Sequence, residues 1–121
     1  MNSRIKKGIL AEQFVCDYLT NNGFTIIVRN YRKRYGEIDI IAKKDDLLSF
    51  IEVKRRDTSQ IDIAEIITPS KQAKIISVAK EFLSTHTNTI TKICRFDVAL
   101  VETQNNNLQI RYIINAFTAN E

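Results

Sequence analysis

The sequence predicts an α/β domain whose elements follow the order αβββαββ. One observation is the helical spacing of apolar residues between Lys7 and Asn21, and a second is a set of short, β-branched apolar runs. The third is Thr68-Pro69, which provides an N-cap and a favoured first residue for another helix. The length of 121 residues suits one domain over residues 1–121.

The first half of the chain predicts one helix and three strands. Helix one is expected over residues 7–21, with Asn22-Gly23 as its C-terminal stop. Its apolar face is predicted to hold Leu10, Ala11, Phe14, Val15, Tyr18 and Leu19. The runs FTIIVRN, EIDIIA and LLSFIEVK follow, separated by RKRYG and KKDD, and predict a meander of three strands.

The second half predicts a helix and two strands. IDIAEII satisfies both the helix and the strand period, so its conformation stays open. The second helix is expected from Pro69 to about Ser84, followed by the polar loop THTNT. ICRFDVALVE and LQIRYIINAF read as strands joined through the turn-prone QNNN.

Composition excludes several protein classes. The 44% hydrophobic and 26% charged residues are typical of a globular protein. Apolar runs such as IIV fall far short of the roughly 20 residues of a membrane span, and no signal-peptide stretch follows MNSRIKKG. We therefore expect a cytoplasmic protein without membrane contact. Cys16 and Cys94 lack the paired spacing of a zinc or redox motif and are expected to be reduced core thiols.

The positive charges are clustered, although the net charge is only +4. The clusters are Arg29 with Arg32, Lys33 and Arg34, then Lys43 with Lys44, then Lys54 with Arg55 and Arg56. Such clusters suit a polyanionic partner. The alternative is that they are solvated loop faces.

Charged groups in the two central strands point to a shared site. Strand alternation places Glu52 and Lys54 on one face, and places Asp39 on the same face of its strand as Ile41. Asp39 stands opposite Glu52 if the two strands pair. Helical spacing puts Glu12 at the edge of the buried stripe of helix one.

Converging carboxylates of this kind predict a divalent cation. Crowded acids repel one another, and oxygen ligands with room for water suit Mg²⁺ or Mn²⁺. Such an ion, together with a neighbouring lysine, provides the groups that metal-assisted phosphodiester cleavage requires. The alternative is that Glu52 and Lys54 form an exposed charge pair, with Asp39 at a strand end.

These motifs also carry a resemblance to a known family. An acid in one strand followed by E-x-K in the next resembles the PD-(D/E)XK nuclease superfamily. The set AEQFVCDYL, GEIDIIA, FIEVKRR, SKQAKI and RFDV resembles the YraN-like family of small bacterial proteins related to Holliday junction resolvases. The resemblance implies a restriction-endonuclease-like core, in which helices flank a mixed central sheet.

The resemblance implies roles for single residues. Glu12, Asp39, Glu52 and Lys54 would be catalytic, with Asp39 and Glu52 binding the metal ion. It also implies a role for Lys71, the basic residue that opens the second helix. Together with the clustered residues Arg32, Lys33, Arg34, Arg55 and Arg56, Lys71 is expected to bind nucleic acid. Asp97 in RFDV is expected to be buried and hydrogen-bonded.

The leading hypothesis is a metal-dependent endonuclease acting on DNA, with branched or structured DNA as a candidate substrate. RNA stays open as a partner. One alternative is a non-catalytic nucleic-acid-binding module that retains the nuclease fold, and another is a protein-interaction domain. Resolvases of this fold act as dimers, so the resemblance also suggests a homodimer, with LQIRYIINAF as the candidate edge strand.

Overall fold

The computed structural model of the chain describes residues 3–56, 62–86 and 93–119. Within these ranges it has α1 (Ser3–Asn21), β1 (Thr25–Lys33), β2 (Gly36–Lys44), β3 (Leu47–Arg56), α2 (Ile63–Ile66), α3 (Pro69–Thr85), β4 (Ile93–Gln104) and β5 (Asn107–Phe117). The predicted order is confirmed, and the ambiguous IDIAEII segment contributes the short helix α2. Residues 87–89 of the predicted THTNT loop lie outside the described ranges.

The strands form one five-stranded sheet in the order β1-β2-β3-β4-β5. The β1–β2, β2–β3 and β4–β5 pairs are antiparallel, whereas β3 and β4 are parallel. A parallel pair needs a crossover, and α2 and α3 lie on that connection. The mixed sheet flanked by helices is therefore confirmed. β5 is an edge strand, as predicted, and a homodimer formed through it stays a prediction.

Local sequence signals define the helix ends. The first helix ends at Asn21, just before Gly23, whose left-handed φ of +89° favours glycine, and the amide of Phe24 donates to the carbonyl of Leu19. The last helix begins where the Thr68 hydroxyl accepts a hydrogen bond from the amide of Lys71 at 3.2 Å. Pro69 occupies its first turn. Both signals were predicted from the sequence.

The core consists of two apolar clusters, one on each face of the sheet. Phe82 of α3 packs with Phe50 and Phe96 on one face, and Val15 and Leu19 of α1 pack with Ile40 on the other. Large, fully buried side chains on both faces explain why a chain of this length can stabilise a central sheet.

Two core predictions are wrong. Leu10 is 57% exposed, because its direction on α1 lies away from the buried stripe that contains Ala11, Val15 and Leu19. Cys94 is exposed near the start of β4, whereas Cys16 is buried as expected. No helix among the described residues is long and apolar enough to cross a membrane.

Ser49 is an unusual polar residue in this core. Its side chain is fully buried between Ala42 of β2 and Arg95 of β4, and its hydroxyl lacks a hydrogen-bond partner within the described parts of the chain. A buried hydroxyl without a partner costs stability. We therefore expect Ser49→Ala to raise the free energy of unfolding by about 1 kcal/mol, measured by urea denaturation. A lower value would show that the hydroxyl makes a stabilising hydrogen bond.

Candidate active site

The candidate site lies where β2 and β3 separate. Their paired register runs from Lys44 opposite Leu47 to Ile40 opposite Ile51. Beyond that point β2 continues beside β1, while β3 continues beside β4. A fork therefore opens within the sheet, and we call it the β2–β3 fork.

Asp39 is the first residue of β2 beyond the paired register. Its Oδ2 accepts a hydrogen bond from the backbone amide of Val53 at 2.8 Å, so a side chain replaces the missing ladder bond between the strands. Burial, together with repulsion from Glu52, raises the pKa of Asp39 to about 8. Its position beside Glu52 agrees with the sequence prediction.

The predicted strict alternation along β2 is wrong at this point. Ile38 and Ile41 both pack in the cluster beneath α3, whereas Ile40 and Ala42 pack beneath α1. Alternation would have placed Ile38 with Ile40. The change occurs at Asp39, where the ladder to β3 ends and no longer keeps the strand regular.

The fork forms the floor of a cleft of about 450 Å³. One wall is α1 and the other is the start of α3. The lining includes Glu12 of α1, Asp39 of β2, Glu52 and Lys54 of β3, and Lys71 of α3. All four predicted catalytic residues therefore meet in one cleft.

Glu52 is nearly buried and already carries a counter-charge. The residue is 9% exposed, and its Oε2 lies 2.5 Å from the Nζ of Lys71. The exposed charge pair considered as an alternative is therefore not what the structure shows. Lys71, expected to contact nucleic acid, is paired with a predicted metal ligand.

Glu12 is held at the opposite wall by a residue that the sequence prediction missed. Asn30 of β1 donates from Nδ2 to Glu12 Oε1 at 3.2 Å. Asn30 lies in the middle of a strand with a left-handed φ of 54°, a conformation that asparagine tolerates better than most residues. An asparagine within the β-branched FTIIVRN run is the only sequence signal for it.

The other predicted nucleic-acid-binding residues occupy two regions. Arg55 lines the cleft and donates to the Thr103 hydroxyl, and Arg56 ends β3 next to it. At the β1–β2 end, Arg32 pairs with Glu37 at 3.3 Å and Lys33 with Glu81 at 3.6 Å. Arg34 is exposed in the turn between these strands. These three residues lie outside the cleft lining, and their role stays a prediction.

A close contact between β2 and α3 positions the α3 wall of the cleft. A Cβ added to Gly36 would lie 3.2 Å from the Cβ of Lys74 and 3.4 Å from a methyl group of Val78. Glycine at the start of the GEID motif therefore allows α3 to approach β2 closely. Lys74, one turn after Lys71, also lines the cleft and was missed as a site residue.

Asp97 is buried and hydrogen-bonded, as the sequence predicted. It is 1% exposed and accepts hydrogen bonds from Arg95, from the Tyr112 hydroxyl at 2.7 Å and from the Asn115 amide at 3.1 Å. Burial and the neighbouring Asp97 charge raise the pKa of Tyr112. The network joins β4 to β5 at the irregular register between Phe96 and Val98.

The chemistry of the cleft is compatible with a hard divalent cation. Within residues 3–56, 62–86 and 93–119, no three or more His, Cys, Asp or Glu side chains are grouped as a ready-made metal site. Asp39 and Glu52 nevertheless provide two neighbouring carboxyl groups. The raised pKa of Asp39 lets it keep a proton at neutral pH, and Glu52 is paired with the Lys71 ammonium. A cation could replace either, with water as further ligands.

Comparisons with known proteins identify the family. The family model described as "Uncharacterised protein family UPF0102" matches residues 11–101. A UPF0102 protein from Dictyoglomus thermophilum is 42% identical over 113 residues, covering 91% of this chain and 95% of the relative. A UPF0102 protein from Nitrosomonas europaea is 37% identical over 118 residues, covering 97% and 98%. The chain therefore belongs to the uncharacterised protein family UPF0102, the YraN-like family that its motifs resemble.

Proposed function

We propose that the protein is a metal-dependent endonuclease that cleaves phosphodiester bonds in DNA. The observation that carries this proposal is the convergence of Asp39, Glu52 and Lys54 on one cleft at the β2–β3 fork. Phosphodiester hydrolysis of this kind needs acids that can hold a cation, and a lysine close to them; the cleft provides both.

Asp39 and Glu52 would hold Mg²⁺ or Mn²⁺. When bound, the ion would activate water and neutralise charge on the phosphate. Since the pKa of Asp39 is raised to about 8, binding of the ion at neutral pH would displace a proton from this carboxyl. Glu12 would add a third carboxylate at the rim, held there by Asn30.

Basic side chains of the cleft would bind and orient the nucleic acid. Lys54 lies two residues after Glu52 on the cleft side of β3, where its ammonium could orient water or stabilise the phosphate. Arg55 and Lys74 provide further positive charge in the same lining. Contacts of this kind to backbone phosphates bind DNA without reading its sequence.

A second candidate function is nucleic-acid binding without catalysis. The ion pair between Lys71 and Glu52 favours it, because the pair neutralises one of the two acids in the absence of metal. Metal-dependent cleavage would distinguish the two candidates. Both proposals include a cytoplasmic location, where DNA is accessible.

The test is incubation with linear, nicked, flapped and four-way DNA, and with matched RNA, in Mg²⁺, Mn²⁺ or chelator. We expect cleavage that needs the metal ion and is lost in Asp39→Asn, with preference for a branched substrate. Salt-sensitive binding without cleavage would support the non-catalytic module. Absence of both binding and cleavage would support a protein-interaction domain.

A further inference from the structure

Lys71 serves as the counter-cation of Glu52. The Glu52 side chain is 10% exposed, and its Oε2 contacts the Lys71 ammonium at 2.5 Å. Burying a carboxylate this deeply beside Asp39 costs solvation free energy, and a positive partner offsets that cost. In this structure Lys71 supplies that charge.

The backbone of Lys71 is fixed, while its side chain can move. The Thr68 cap holds the Lys71 amide, and the close packing of Lys74 against Gly36 fixes the distance between α3 and β2. The Lys71 side chain is 39% exposed. Its flexible four-carbon stem would let the ammonium leave Glu52 and remain within the cleft.

A metal ion and Lys71 would compete for the same carboxylate. An ion held by Asp39 and Glu52 would stand beside the ammonium, and the two positive charges would repel each other. The ammonium must then leave Glu52 or weaken the binding of the ion. A phosphate in the cleft would give Lys71 another anionic partner.

We propose that Lys71 is an exchangeable counter-cation that couples metal binding to substrate binding. Without substrate it occupies Glu52 and keeps metal affinity low. A phosphate group of the nucleic-acid backbone draws Lys71 away and frees Glu52 for the ion. Because such coupling is reciprocal, the metal ion also raises the affinity for the phosphate backbone. This inference rests on the proposed metal-dependent function.

The first test measures Mn²⁺ affinity from the electron paramagnetic resonance signal of the free ion. Lys71→Gln should bind Mn²⁺ about 5- to 100-fold more tightly than wild type in the absence of DNA, a common range for coupled sites. Lys74→Gln is the matched control, because it removes one positive charge from the same helix and cleft. It should produce a smaller increase. Equal affinities of the two variants would overturn the proposal.

A double-mutant cycle locates the effect at Glu52. In a Glu52→Gln background the competing carboxylate is absent, so Lys71→Gln should no longer raise Mn²⁺ affinity beyond the effect of Lys74→Gln. An increase of the same size in both backgrounds would overturn the proposal. A thermal melt in chelator adds a second readout: Lys71→Gln should melt below wild type, because Glu52 loses its partner, and should gain more from Mn²⁺.

Adding DNA tests the coupling itself. Proteins carrying Lys54→Ala are used, with gels to verify that the DNA stays intact. DNA should raise Mn²⁺ affinity when Lys71 is present and have a much smaller effect in Lys71→Gln. An equal effect would overturn the coupling. If Mn²⁺ binds no variant, the metal-dependent function fails as well, whereas equal binding by wild type and both lysine variants would refute only the role of Lys71.

Discussion

Lys54→Ala is expected to lower DNA cleavage by about 100- to 1,000-fold, the usual effect of removing one group that stabilises transition-state charge. DNA binding should fall much less, because the cleft retains Arg55, Lys71 and Lys74 and one phosphate contact is a small share of the total. Single-turnover cleavage and equilibrium binding, measured at the same salt concentration, separate the two effects.

Lys74→Ala is the matched control for this experiment. It removes the same charge from the same cleft, but from the α3 wall instead of the strand that carries Glu52. We expect it to weaken binding and cleavage to similar extents. A parallel loss of both activities in Lys54→Ala would instead make Lys54 a phosphate-binding residue without a special part in the chemistry.

Asp39→Asn is expected to stabilise the metal-free protein at pH 8 and above. Burial and the Glu52 charge raise the pKa of Asp39 from its ordinary 3.8 to about 8. Between about pH 4 and pH 8 the folded protein therefore retains a proton that the unfolded chain has lost. The contribution of this group to the free energy of unfolding is fully present below about pH 4. It is lost progressively as pH rises, until Asp39 ionises near pH 8. Asparagine keeps the shape and can still accept the hydrogen bond from Val53.

Urea unfolding across the pH range measures this effect. Wild type should lose up to about 1.4 kcal/mol per pH unit from this group between its two pKa values, and Asp39→Asn should lack that slope. Glu37→Gln is the control, because Glu37 lies two residues away on β2 but is exposed and paired with Arg32. It should leave the slope largely unchanged.

Metal ions should narrow the difference in stability between the two proteins. With the ion at ten times its dissociation constant, wild type gains about 1.4 kcal/mol, whereas Asp39→Asn gains less because it lacks a ligand charge. A variant that is destabilised at pH 8, together with a wild type that does not respond to metal, would contradict the nuclease proposal. Asp39 would then be a structural acid whose main role is to accept the hydrogen bond from the Val53 amide.

Features that depend on neighbouring residues could be predicted from the sequence. The Thr68-Pro69 helix start and the Gly23 stop act through local backbone conformation, so a few letters of sequence are sufficient. Glu52 and Lys54 share one cleft because strand alternation puts residues two apart on the same side. The place of their strand in the sheet follows from the meander of three strands that the sequence predicts.

Features that depend on packing between distant segments could not be predicted in this way. The Lys71–Glu52 ion pair and the contact of Gly36 with Lys74 arise only when α3 docks on the sheet. Motif resemblance connected Lys71 with the site, but not with Glu52. The left-handed backbone of Asn30 is a single-residue exception within a strand, and strand periodicity has no signal for it.

The β2–β3 fork has a further consequence for the spacing of the two acids. Neighbouring strands in a continuous ladder are held about 4.8 Å apart, which would impose one separation on Asp39 and Glu52. Beyond the fork, each acid belongs to a different hydrogen-bonded ribbon, β1–β2 for Asp39 and β3–β4–β5 for Glu52. The hydrogen bond from the Val53 amide to the Asp39 carboxylate therefore spans the gap in place of a ladder bond. A change in the separation of the two acids would thus act on this one side-chain hydrogen bond, while the β2–β3 ladder from Ile40 to Lys44 stays intact.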